Sequence, residues 1–146
     1  MTDRKPLELG YILVPIDFSE RSRQALAYAR SLAARCGATV ELLHVVDVSA
    51  VDGFVGHANP TVWLEALEDA RRKIIELAKG DPVKVLEGRP ADVIIDHAQA
   101  VKADMIVMGS LGRTGLERLL VGSVAERVVR LAPCPVLVVR EGVARA

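Results

Sequence analysis

Five short apolar runs alternate along this chain with segments of helical periodicity, and that alternation restricts the fold more than any other feature. The runs cover residues 11–16, 39–46, 83–86, 104–108 and 135–140. Their near-continuous apolar character marks strands buried on both faces. The segments between them read as helices. One runs from a Ser19 cap to about Cys36, with Ala25, Leu26, Ala29, Leu32 and Ala33 at helical spacing and Gly37 as its stop. A second covers Thr61 to Lys79 and ends at Gly80-Asp81-Pro82. A third opens at Gly88-Arg89-Pro90, with Pro90 in its first turn and Val93, Ile94, Ala98 and Val101 as its apolar face. A fourth runs from about Ser123 to Leu131. Strands separated by helices require right-handed crossovers and predict a parallel sheet with helices on both faces. Residues 48–60 are polar, with Asp52-Gly53 and Asn59-Pro60 as breakers, and read as a mobile loop. The short tail after Glu141 reads as frayed, giving one domain over 1–146 with an ordered core of about 9–140.

Composition fits this architecture. Hydrophobic residues make up 51% but aromatics only 3%, so the core must be built from Val, Leu, Ile and Ala. Lys plus Arg equals Asp plus Glu at 19 each, which leaves no overall field to draw the chain to nucleic acid or an acidic membrane. The basic run Arg71-Arg72-Lys73 lies inside a helical pattern and reads as a solvated face. No segment reaches the ~20 apolar residues of a membrane span. The opening Met-Thr-Asp-Arg-Lys-Pro lacks the apolar stretch of a signal peptide, so a cytoplasmic protein is expected. Cys36 and Cys134 have neither CxxC nor metal-ligand spacing and read as buried thiols in a reducing compartment.

The chemistry concentrates in the connection after the fourth strand. Met108-Gly109-Ser-Leu-Gly112-Arg113-Thr-Gly115 leads to Gly122-Ser123 and a helix: strand, glycine-rich loop, helix start. Glycine permits close backbone approach, and a helix start offers unpaired N–H groups with partial positive charge. Together they form an anion site, most often for phosphate. The Walker pattern is not met, because no Lys precedes Ser123, and GxGxxG is missing. Phosphate would then be held by backbone and hydroxyl groups; Arg113 either adds charge or is simply solvated.

Asp17 ends the first strand. It can make an Asx turn or cap the next helix, and it can also accept hydrogen bonds from ribose hydroxyls. Ser19 is the better cap. His44 lies among apolar strand residues and reads as a satisfied, partly buried histidine; His57 and His97 have no nucleophile partner suggested by spacing. Neither a catalytic triad nor a metal-ligand set is apparent. Met105 and Met108 read as core. If the strand order is 3-2-1-4-5, strands one and four are neighbours where the order reverses, and Asp17 and the glycine loop face one crevice.

These residues resemble the universal stress protein family. Gly109, Gly112, Gly122 and Ser123 meet its pattern G-x2-G-x9-G-[ST]; Val14-Pro15-Ile16-Asp17-Phe18-Ser19 resembles its first-strand signature. Leu43-His44-Val45-Val46-Asp47 and Pro135-Val-Leu-Val-Val are also similar, and the likeness runs from about Leu9 to Arg140. The resemblance implies a Rossmann-like, adenine nucleotide alpha hydrolase-like fold with five parallel strands that binds ATP and dimerises. It implies that Asp17 meets the ribose, that the Val45 backbone holds adenine under apolar cover from Pro15 and Ile16, and that Met108, Gly109, Gly112, Gly122, Ser123 and Val124 surround the phosphates. Mg²⁺ or Mn²⁺ would ride on the phosphates.

A homodimer through residues 135–140 has a separate physical motive. In the order 3-2-1-4-5 the fifth strand is an edge, yet Val136, Leu137, Val138 and Val139 are all apolar, and such an edge needs cover. Three functional readings follow: an ATP-binding regulator of the stress response whose nucleotide occupancy alters conformation or choice of protein partner, a slow Mg-dependent ATPase or phosphotransferase, and a nucleotide-free dimeric interaction module. Binding groups are plentiful and catalytic groups are not, which favours the first.

Overall fold

The computed structural model describes residues 8–48, 60–110 and 122–140. The elements in chain order are β1 Tyr11–Pro15, α1 Glu20–Cys36, β2 Thr39–Asp47, α2 Pro60–Ala78, β3 Val83–Gly88, α3 Pro90–Ala100, β4 Met105–Gly109, α4 Ser123–Leu131 and β5 Val136–Val139. The five strands form one parallel sheet in the order β3-β2-β1-β4-β5. The order therefore reverses between β1 and β4, as the crevice argument requires.

Local chemistry sets most boundaries. The Ser19 hydroxyl accepts from the Ser22 N–H at 3.2 Å and starts α1. Gly37 sits at φ 72° and returns its N–H to Ala33 O. β3 runs two residues beyond the apolar segment 83–86, because pairing with β2 continues through Val46↔Glu87 and Asp47↔Gly88. A ladder needs backbone groups, not apolar side chains, to continue. Gly88 then turns the chain at φ 146°, where a Cβ would stand 2.5 Å from Val93 Cγ2, so only glycine fits.

Each face of the sheet buries its own core. Ile12, Val14 and Leu42 pack with Ala25, Leu26 and Ala29 of α1 and with Ile74 and Ala78 of α2. On the other face Leu13, Leu43, Ile106 and Met108 meet Ala91, Ile94 and Ala98 of α3 and Ala125 and Val128 of α4. The largest fully buried side chains are all Ile, Leu or Val, as the low aromatic content requires. Each contributes about 1.5–3 kcal/mol by burial.

Two expectations need correcting or extending. Cys36 is exposed and Cys134 only half-buried. Residues 34–37 are all exposed, so α1 ends beyond its cover and Cys36 ends with it. Burial pushes the Cys134 thiol up, with the nearby Asp104 charge adding to it. His97, without a partner by spacing, gains one through the fold. Its ring hydrogen-bonds the buried Glu41 carboxylate, which also accepts from the Tyr11 hydroxyl. Burial and the Glu41 partner push the Tyr11 phenol up to about 12. β5 is a sheet edge paired to β4, and its four apolar residues are half-buried. Among the described residues no helix is long and apolar enough to cross a membrane.

Candidate functional site

The site begins where β1 stops. Ser19 donates its N–H to Asp17 Oδ1 at 2.9 Å, and its hydroxyl bonds the same oxygen. This is an Asx turn, one of the two local roles read for Asp17 from sequence. Burial would raise the Asp17 pKa, but hydrogen bonds from the Ser19 hydroxyl and N–H, joined by the Ser22 side chain and the Asp17 backbone, outweigh it and hold the carboxyl below its ordinary value. Asp17 is therefore ionised at neutral pH. Between them Phe18 sits at φ 65°, a left-handed backbone that costs a non-glycine residue about 1–3 kcal/mol. Its ring lies 4.6 Å from the His44 ring.

The β1–β2 ladder ends in an unusual way. Ile16 N–H donates to Leu43 O at 2.7 Å. In a parallel ladder the next rung would join the Val45 N–H to Ile16 O and the Phe18 N–H to Val45 O. Neither bond forms. Ile16 O lies instead 2.6 Å from His44 Nδ1, which must carry the hydrogen because a carbonyl only accepts. Val45 thus keeps a backbone donor and acceptor side by side, without a partner among the described residues, at the crevice wall. On the other side of β1, Pro15 has no N–H to give, and the pairing with β4 stops at Leu13↔Ile106.

β4 and α4 supply the opposite wall. Ser110 donates its N–H to Val139 O at 3.1 Å, and Gly122 donates to Ser110 O at 2.7 Å. The two ends of the glycine-rich connection are therefore tied together directly above β4. Gly122 is the N-cap of the nine-residue α4 and brings no side-chain cap, so the first-turn N–H groups remain available to a ligand. Gly109 has a packing reason of its own: a Cβ there would lie 3.0 Å from both the carbonyl carbon and the Cβ of Arg21, in the first turn of α1.

These walls enclose a crevice of about 600 Å³, a size suited to a small-molecule ligand. Pro15, Ile16, Asp17, Val45, Met108, Gly109, Gly122, Ser123 and Val124 all line it. Gly112 and Arg113 lie outside the described residues, as does most of the 48–60 segment. Sequence reasoning missed Ser110, whose position beside Gly109 was the available signal, and Pro90 and Ile94, which α3 brings from across the sheet. The described lining carries the carboxylates of Asp17 and Asp47 and no Lys or Arg. Among the described residues no group of three His, Cys, Asp or Glu side chains is placed to hold a metal ion. A second hollow at the far end of the sheet is lined by Arg30 and Asp81, which pair with each other at 3.1 Å, and Arg30 also caps Leu77 O and Ala78 O. Those charges serve the fold.

The universal stress protein family model matches residues 10–140. The chain belongs to the universal stress protein family. A relative within it, universal stress protein MJ0531 of Methanocaldococcus jannaschii, is 42% identical over 138 residues, covering 89% of this chain and 81% of its own. Universal stress protein YxiE of Bacillus subtilis is 35% identical over 144 residues, with 88% and 97% covered. Among solved structures, that of MJ0577 superposes with a TM-score of 0.81 at 32% identity, covering 92% of this chain and 98% of that one. The universal stress protein UspA of Lactobacillus plantarum gives 0.71 at 31% identity, with 91% and 99% covered. The five-stranded sheet with its order β3-β2-β1-β4-β5 is thus a universal stress protein fold.

Proposed function

We propose that this universal stress protein binds an adenine nucleotide, ATP in the first instance, in the crevice between β1 and β4, and that occupancy rather than turnover is its output. One observation carries the reading. An ionised carboxylate, a free backbone donor–acceptor pair and an uncapped helix start open onto one hollow at the reversal of strand order. Each matches one part of a nucleotide. The Asp17 carboxylate accepts from ribose hydroxyls. The Val45 N–H and C=O meet the edge of adenine, with Pro15 and Ile16 as apolar cover. Backbone N–H groups at Gly109, Ser123 and Val124, the Ser123 hydroxyl, and Gly112 and Arg113 of the connection hold phosphates beside Met108, while Gly122, its own N–H given to Ser110 O, admits them to the helix start without a side chain in the way.

The described lining offers no cation against the phosphate charge, which supports a requirement for Mg²⁺ or Mn²⁺ carried in by the phosphates. Hydrolysis asks for a cationic clamp and a group that orients water. The lining favours binding over such a role. Assembly as a homodimer through β5 fits its apolar, half-buried edge.

Thermal unfolding of nucleotide-stripped protein tests the reading. With ATP and Mg²⁺ a hundredfold above Kd, stabilisation should reach about 2.7 kcal/mol. For a domain of this size that is a rise of roughly 5–10 °C. Gly112→Val should abolish the rise while the protein stays folded, because a branched side chain blocks backbone approach to phosphate. No rise at millimolar ATP overturns the reading and favours an interaction module. Steady ATP consumption with Mg²⁺, lost in Ser123→Ala, favours a hydrolase.

A further inference from the structure

We infer that His44 is a positioning residue for the base: its imidazole ends the β1–β2 ladder one rung early and so keeps the Val45 backbone open for a ligand. The inference rests on the nucleotide reading above. β1 and β2 are in register up to Pro15↔Leu43, and the Ile16 N–H to Leu43 O bond continues that register past the strand. Nothing in the alignment stops the next rung. Two things divert it, and both involve His44. Nδ1–H donates to Ile16 O at 2.6 Å and takes the acceptor that the Val45 N–H would use. The same ring packs at 4.6 Å, tilted by 39°, on Phe18, whose φ of 65° turns the chain away, and the Phe18 N–H does not reach Val45 O. One side chain therefore occupies the acceptor of the first missing bond and packs on the residue that would donate the second, in a turn that Asp17 and Ser19 also hold. A parallel strand normally spends its N–H and C=O on its neighbours. Here an interior strand releases one residue's pair at the crevice, a geometry suited to a planar heterocycle that presents an acceptor beside an amine, as adenine does. The turn that His44 braces is also the one that carries Asp17, so base and sugar contacts share one support.

Two substitutions separate the parts of the ring. His44→Phe keeps an aromatic on Phe18 and removes the donor. His44→Asn keeps a donor at nearly the same position and removes the ring. Amide hydrogen exchange at Val45 in the nucleotide-free protein reads the ladder directly. The wild-type amide should exchange at least tenfold faster than in His44→Phe, where it can bond Ile16 O. Affinity for ATP compared with inorganic tripolyphosphate then reads the base. His44→Phe should lose about tenfold in ATP affinity, the worth of one hydrogen bond, with tripolyphosphate unchanged, and His44→Asn should recover most of the loss. Equal Val45 exchange in wild type and His44→Phe overturns the inference, as does unchanged ATP affinity. An equal fall for ATP and tripolyphosphate overturns it too, because that marks general loosening. If His44→Phe does not fold, His44→Leu removes the same donor and is read the same way. If wild type fails to bind ATP, the nucleotide reading falls and takes the base role with it, while the exchange result still shows whether His44 sets the end of the ladder.

Discussion

Gly109→Ala measures whether this glycine answers to phosphate or to packing. Gly109 is not in the left-handed region, so alanine meets no backbone strain there. The obstacle is the first turn of α1: an added Cβ would lie 3.0 Å from Arg21 C and Cβ and 3.1 Å from Arg21 O. These atoms belong to the backbone or move with it, so relief requires α1 to slide by a few tenths of an ångström against β4. Overpacking of this kind costs about 1–3 kcal/mol. Replacing glycine also restricts the unfolded chain, which returns about 0.4–1 kcal/mol. The net loss should be about 1–2 kcal/mol. For 146 residues that lowers Tm by roughly 3–6 °C. Urea unfolding should show a lower midpoint with an unchanged slope, because the surface exposed does not change. ATP affinity should fall as well, since the displaced turn follows directly on Asp17 and Ser19. A stability within ~0.3 kcal/mol of wild type, with ATP binding lost, would refute the packing argument and return Gly109 to the phosphates alone.

Two further outcomes follow from the geometry. In a Tyr28→Phe background, which leaves Tyr11 as the sole tyrosine, an absorbance titration should place phenol ionisation at about 12, and Glu41→Gln should lower that midpoint. The folded pKa is raised, so the unfolded chain ionises first, and this part of stability is lost as pH climbs from about 10 towards 12; ionisation near 10 in the folded protein would contradict the part-buried Tyr11–Glu41 bond. On the proposed homodimer, Val138→Lys, placing a charge on the apolar edge strand, should give monomer or aggregate in sedimentation experiments where wild type gives dimer, and a dimer in both would remove β5 from the interface.

Much of this was legible in the residues. The apolar runs placed all five strands to within two residues, and Ser19, Gly37 and Pro90 marked helix ends through chemistry confined to one turn. β3 was read short because apolar content stops at Leu86, while its partner strand carries it to Gly88. Cys36 was misread because helical spacing cannot show where the sheet beneath a helix runs out.

The sequence alone determined the alternation of elements, the aliphatic core, the turn at Asp17 and the glycine pattern of the family, because periodicity and capping depend on neighbours within a few positions. Only the tertiary structure decided where the remaining polar groups and close contacts went. It set His44 against the Ile16 carbonyl and left Val45 open. It joined Glu41 to Tyr11 and to His97, 56 positions away, and pressed Gly109 onto Arg21. Hydrogen-bond satisfaction and steric overlap are properties of atoms brought together from distant parts of the chain, and no local pattern encodes which atoms those will be.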